Sequence, residues 1–96
     1  MLYSIYLIKN ELNGKCYIGR TNNFPLRKST HLSLSRKDLP KYHIHRAIKK
    51  YGENNFSFII LKENIKESDI NFEEMKYIEI YDTFVNGYNM TIRRRR

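Results

Sequence analysis

Two short apolar runs near the N-terminus, Tyr3 to Ile8 and Cys16 to Thr21, flank Asn10-Glu11-Leu12-Asn13-Gly14. Both are rich in β-branched and aromatic residues, and Asn13-Gly14 is a strong turn signal, so the pattern specifies a β-hairpin. Tyr6 and Tyr17 lie an odd number of positions apart. In an antiparallel pair closed by an even-residue loop, that parity turns both phenols to one face of the sheet. Gly19 comes two residues after Tyr17, shares its face, and leaves that face bare. Two phenols beside a position without a Cβ offer a place where another molecule can approach the backbone. On the hairpin alone, ordinary strand aromatics with Gly19 as a bulge are the plainer account.

A chain of 96 residues is expected to form one domain with a single small core. Eighteen basic residues against ten acidic ones give a net charge of +8, and the body stays basic without the four arginines at 93–96. Such an excess favours a polyanionic partner, most simply nucleic acid, although a solubilising surface would carry the same charge. The single cysteine, Cys16, forbids an intrachain disulfide and reads as a small buried hydrophobe in a reducing, intracellular setting. No apolar run approaches the ~18 residues of a membrane span. The N-terminus lacks the basic start and long apolar stretch of a secretory signal.

After the hairpin, Asn22 or Asn23 is placed to cap a helix, with Pro25 in its first turn where a missing N–H costs nothing. This helix is expected to run to about Lys37. Arg27, Thr30, His31 and Leu34 fall on one stripe of it, which suits either a polar site or a solvated face. Lys37 to Pro40 breaks the helix. The next helix has an apolar stripe of Ile44, Ala47, Ile48 and Tyr51, with Lys49 and Lys50 in its last turn and Gly52 as its C-terminal cap. Its other face carries His43, Arg46 and Lys50, suited to phosphate or simply to water. His43 and His45 point to different sides of the helix, and with one cysteine and no third ligand nearby a zinc site is rejected. Phe56 to Leu61 reads as a third strand, apolar on both faces and hence central.

The last helix, Ile70 to about Tyr81, holds the second informative feature. Ile70, Glu74, Tyr77, Ile78 and Tyr81 share one face, so a carboxylate sits within the stripe that must pack on the sheet. Such a group has to be neutralised, paired or bound to a cation. It marks either a site or a structural ion pair with Arg27 or a lysine. The chain then closes on Asn86-Gly87-Tyr88-Asn89 and the arginine run.

In this order the residues resemble the GIY-YIG nuclease superfamily. Ser4-Ile5-Tyr6 stands for the first signature, with serine for its glycine, and Tyr17-Ile18-Gly19 is the second as written. Arg27 and His31 match the arginine and histidine of the first helix, Glu74 the metal-binding glutamate, and Gly87-Tyr88-Asn89 the closing motif. The segment from His45 to Phe56 is similar to phage and group I intron-homing members. The match runs from residue 3 to 91. It implies an α+β domain over 1–92, with a three-stranded antiparallel sheet flanked by helices in the order β-β-α-α-β-α, followed by a basic tail at 93–96. It further implies a DNA endonuclease using one Mg²⁺ or Mn²⁺ ion and leaving 5′-phosphate and 3′-hydroxyl ends. Glu74 would hold the ion, Tyr17 would activate or orient water, and Arg27 would brace the phosphate. His31 and Tyr6 would hydrogen-bond phosphate or water, and Asn89 would fix its neighbours. Gly19, Arg20, His43, Arg46 and Lys50 are candidate DNA contacts, with His43 also set against a second active-site histidine of homing members. The expected setting is a host cell's cytoplasm or nucleoid, with a monomer favoured; either the domain cuts with little sequence preference, or a recognition domain lies beyond residue 96 or in a partner. The competing reading is a basic nucleic-acid-binding domain that does not cut.

Overall fold

The computed structural model describes residues 1–90; the arginine run at 93–96, read above as a separate tail, lies outside the described residues. Strands β1 (Leu2–Asn10) and β2 (Cys16–Thr21) form the hairpin. Helices α1 (Phe24–Ser35) and α2 (His43–Tyr51) follow, then a short 3-10 turn at Glu53–Asn55, strand β3 (Phe56–Lys66) and helix α3 (Ile70–Tyr81). The sheet is antiparallel in the order β2-β1-β3. This is the order of elements expected from the sequence.

Pairing of Tyr6 with Gly19 and of Ile8 with Tyr17 turns both phenols to one face, as the parity requires. The hairpin closes with Gly14 at φ 78°, a left-handed position that favours glycine. Asn23 caps α1 by accepting a hydrogen bond from the Leu26 amide at 3.2 Å, and the helix stops two residues short of Lys37. In α2 the Gly52 amide bonds the Ile48 carbonyl at 2.9 Å, with Gly52 at φ 94°. Asp69 precedes α3, but its side chain makes no capping bond.

One expectation is overturned. β3 is an edge strand, and β1 is the central one. Successive residues of β1 feed two separate cores: Ile5 and Leu7 pack with Ile18, Ile65, Ile70 and Ile78 beneath α3. Tyr6 and Ile8 pack with Ile44, Ala47, Ile48 and Phe56 beneath α2. β3 is apolar on both faces, yet the helical layers do not extend over all of it, and Ile59 and Ile60 stay 43 % and 37 % exposed.

The free edge of β2 is covered by the segment after α3. The Tyr88 amide donates to the Cys16 carbonyl at 2.9 Å. The Asn89 side chain accepts from the Ile18 amide at 2.8 Å and donates to the Ile18 carbonyl at 2.9 Å, imitating one rung of a ladder. Gly87 permits this close approach, since a Cβ there would lie 2.4 Å from the Cys16 carbonyl oxygen.

Candidate active site

α3 packs on one face of the sheet, and Tyr17 lies on the other. A cavity that both reach must therefore sit at the β2 margin, where the two layers meet. Such a cavity exists, about 400 Å³ in volume, and its walls include Tyr17, Arg27, His31, His45, Glu74 and Asn89. Four elements and the closing segment supply these groups: β2 presents Tyr17, α1 presents Arg27 and His31 four residues apart on one stripe, α2 presents His45, α3 presents Glu74, and Asn89 follows α3. The α1 stripe thus faces a polar site, because the cavity takes the place of a packing partner.

Tyr6 lies behind the wall, 1 % exposed. Arg27 Nε donates to its hydroxyl at 3.3 Å, and the hydroxyl is 2.7 Å from His31 Nε2. His31 Nδ1 in turn is 2.8 Å from His45 Nε2. A hydrogen-bonded row, Arg27–Tyr6–His31–His45, therefore runs through the protein beside the cavity. Burial, then Arg27 and then His45 lower the His31 pKa to about 3, so both ring nitrogens can serve the row only as a neutral imidazole, one donating and one accepting. His45 is also lowered, by burial and by Arg27. Burial pushes the Tyr17 phenol above its usual range; Arg27 opposes that shift and Glu74 adds to it.

Glu74 is only 7 % exposed, with Arg20 Nε 3.7 Å from its carboxylate. The ion pair weighed in the sequence exists, but with Arg20 rather than Arg27. Arg20 is also hydrogen-bonded to Asn71. Among the described residues no three His, Cys, Asp or Glu side chains cluster as metal ligands, which argues against a nitrogen- or sulfur-ligated centre. A single buried carboxylate facing a polar cavity fits a hard cation that keeps most of its own water.

Two candidates are placed differently from expectation. Gly19 is not an open gap. A Cβ there would lie 2.3 Å from Tyr6 Cζ and from the Tyr6 hydroxyl, so the Tyr6 ring itself fills the space. His43 is exposed on the outer face of α2, and His45 is the buried histidine at the cavity, 3 % exposed. The signal for His45 was available: it falls on the inner side of α2, next to Ile44 and one turn before Ile48. Arg46 and Lys50 also lie outside the catalytic cavity.

A three-stranded antiparallel sheet with this order of helices, and with tyrosine, arginine, histidine and glutamate meeting at one margin, defines a class. The chain belongs to the GIY-YIG family: the profile for the GIY-YIG catalytic domain matches residues 2–89. Intron-associated endonuclease 1 of Enterobacteria phage T4 is 36 % identical over 96 residues, a match that takes in 94 % of this chain and 37 % of that protein. A second phage T4 relative is 38 % identical over 92 residues, covering 94 % of this chain and 41 % of its own length. The chain thus spans about two fifths of these relatives. Among solved structures, a mutant of the catalytic domain of intron endonuclease I-TevI superposes with a TM-score of 0.84 at 31 % identity, covering 98 % of each chain. Another structure of the catalytic domain of homing endonuclease I-TevI gives 0.81 at 33 % identity, covering 93 % of this chain and 98 % of that one.

Proposed function

We propose that the chain is the catalytic module of a metal-dependent DNA endonuclease of homing or free-standing phage type. The observation that carries this reading is the convergence of Tyr17, Arg27, His31 and Glu74 on one cavity, from the two opposite faces of the sheet. A structural ion pair alone would need none of the other three groups.

Glu74 would hold one Mg²⁺ or Mn²⁺ ion, with water and phosphate completing the shell. When bound, that ion supplies Lewis-acid polarisation of the scissile phosphate and stabilises the departing 3′ oxygen. The protein's own groups do the rest. Arg27 braces the charge that builds on phosphorus as it becomes five-coordinate. Tyr17 orients the attacking water. Burial holds the phenol up and Arg27 pulls it down, so Tyr17 stays protonated at rest and would accept the water's proton only while passing its own to solvent. His31, a neutral ring tied to Tyr6, holds the Arg27 end of the row in place. The water oxygen bonds to phosphorus, the bond to the 3′ oxygen breaks, and that oxygen takes up a proton. The ends are then 5′-phosphate and 3′-hydroxyl.

One copy carries the full residue set, so a monomer suffices for one strand. Target choice, in this reading, belongs to a recognition domain outside these 96 residues. Among the described residues no helix is long and apolar enough to cross a membrane, and we place the protein with DNA inside the host cell.

The test is plasmid nicking with and without Mg²⁺. Glu74→Gln and Arg27→Ala are each expected to lose roughly 10²-fold or more in rate, the scale of removing one transition-state-stabilising group. Binding by the wild-type protein without Mg²⁺-dependent nicking would favour the non-cleaving alternative.

A further inference from the structure

The basic and acidic residues are segregated along the chain. Residues 12–52 contain ten lysines and arginines and one acid, Asp38, whereas residues 63–90 contain seven acids and two lysines. The acidic part neutralises the cations around it, as Glu73 does with Lys62 and Lys76, each at 3.0 Å. The basic part leaves a second cavity, about 320 Å³, lined by Lys15, His43, Arg46 and Lys50 together with the aromatic rings of Tyr51 and Tyr88. No carboxylate among the described residues lines it. Among the described residues none of the ion pairs engages Lys15, Arg46 or Lys50. Arg46 Nε donates to the Pro40 carbonyl at 2.9 Å, and Lys50 Nζ lies over the Tyr51 ring. Both interactions position a cation without neutralising it.

This cavity and the catalytic one share a wall, Tyr88. The Tyr88 hydroxyl is fixed by the side-chain amides of Asn10 at 3.1 Å and Asn13 at 3.3 Å. The two cavities therefore adjoin at a residue that is held in place. From His43 to Lys50 the outer face of α2 rises about 10 Å at ~1.5 Å per residue. Phosphates of one DNA strand advance by ~3.4 Å each along the duplex axis, so a stripe of this length can reach more than one of them.

We propose that this second cavity is a phosphate seat. It grips the backbone of the DNA strand next to the phosphate held at Glu74 and Arg27, and so sets which bond enters the catalytic cavity. The seat rests on the nuclease reading for the identity of the polyanion. His43, Arg46 and Lys50 act here as phosphate ligands, joined by Lys15 from the hairpin turn.

The experiment measures binding of a short duplex by fluorescence anisotropy in EDTA, across a series of NaCl concentrations, so that no cleavage intervenes. Removing one phosphate-binding cation should flatten the slope of log affinity against log salt by about 0.9. Arg46→Ala/Lys50→Ala together should flatten it by about 1.8, and adding Lys15→Ala by about 0.9 more. Lys62→Ala/Lys66→Ala, with the same change of charge on β3, is the control and should leave the slope near wild type. All these positions except Lys15 lie in regular elements with exposed or half-buried side chains, and circular dichroism checks that each variant is folded. A wild-type slope in the Arg46/Lys50 variant, or an equal flattening in the control, would overturn the seat. Failure of Mg²⁺-dependent nicking with this slope pattern intact would sink only the catalytic reading.

Discussion

His31 keeps both ring nitrogens inside the protein, between the Tyr6 hydroxyl and His45, and that arrangement has a measurable cost in acid. Its native pKa, about 3, lies below the ordinary value of 6.5. The unfolded chain therefore binds the proton first. The stabilisation is complete above about pH 6.5 and is lost as pH falls from there toward about 3. By linkage, His31 alone should cost about 2 kcal/mol of unfolding free energy between about pH 7 and about pH 5. Urea titrations at the two pH values measure this, and a His31→Asn variant, which has no ring to protonate, should lose that share of the difference. Gly19 carries a second residue-scale prediction. Its Cβ would collide with the Tyr6 ring, and both residues are fixed in the β1–β2 ladder. Gly19→Ala should therefore cost about 1–3 kcal/mol, the range for overpacking a tight interior, read as a lowered Tm. It should also slow nicking, because the displaced hydroxyl leaves His31.

At the scale of elements, the piece most at risk is the one that is neither helix nor strand. The segment from Gly87 to Asn89 gives β2 its missing neighbour through one backbone bond and one side-chain amide. Asn89 uses both its carbonyl and its amino group on Ile18, so its contribution to the site is to fix β2 and thereby Tyr17. Asn89→Ala would leave a buried amide and a buried carbonyl without partners. We expect a loss of roughly 2 kcal/mol and much faster hydrogen exchange at the Ile18 amide; an unchanged exchange rate would show that the edge is held by other means. This pairing was legible in the sequence only as a closing motif. Spacing along the chain says nothing of a side chain 71 positions away completing a ladder. The hairpin and α3 were different. Asn13-Gly14 and the tyrosine parity are local, and Glu74 announced itself by standing among Ile70, Tyr77 and Ile78 on one helical face.

Across the whole molecule, what sequence patterning missed depends on coverage rather than on local preference. The apolar run from Phe56 to Leu61 reads as buried on both faces, but whether helices actually extend over a strand is decided by the other layers. Those layers meet on β1, so β3 takes the edge. His45 was passed over for His43 for the same reason: helical spacing separated the two histidines correctly, but which side would be lined by a cavity depended on α1. The charge segregation was present in the residue order throughout and gained meaning only once Lys15, Arg46 and Lys50 of the basic part were seen to line the second cavity. The two-core architecture has one more effect. Glu74 rides on α3 over one core, while Tyr17 packs against the other, so the thickness of the sheet acts as the spacer that gauges the gap between acid and phenol. A substitution deep in either core, far from any polar group, can then mistune cleavage by tilting one layer against the other, and detuned variants should map to the interior as readily as to the cavity.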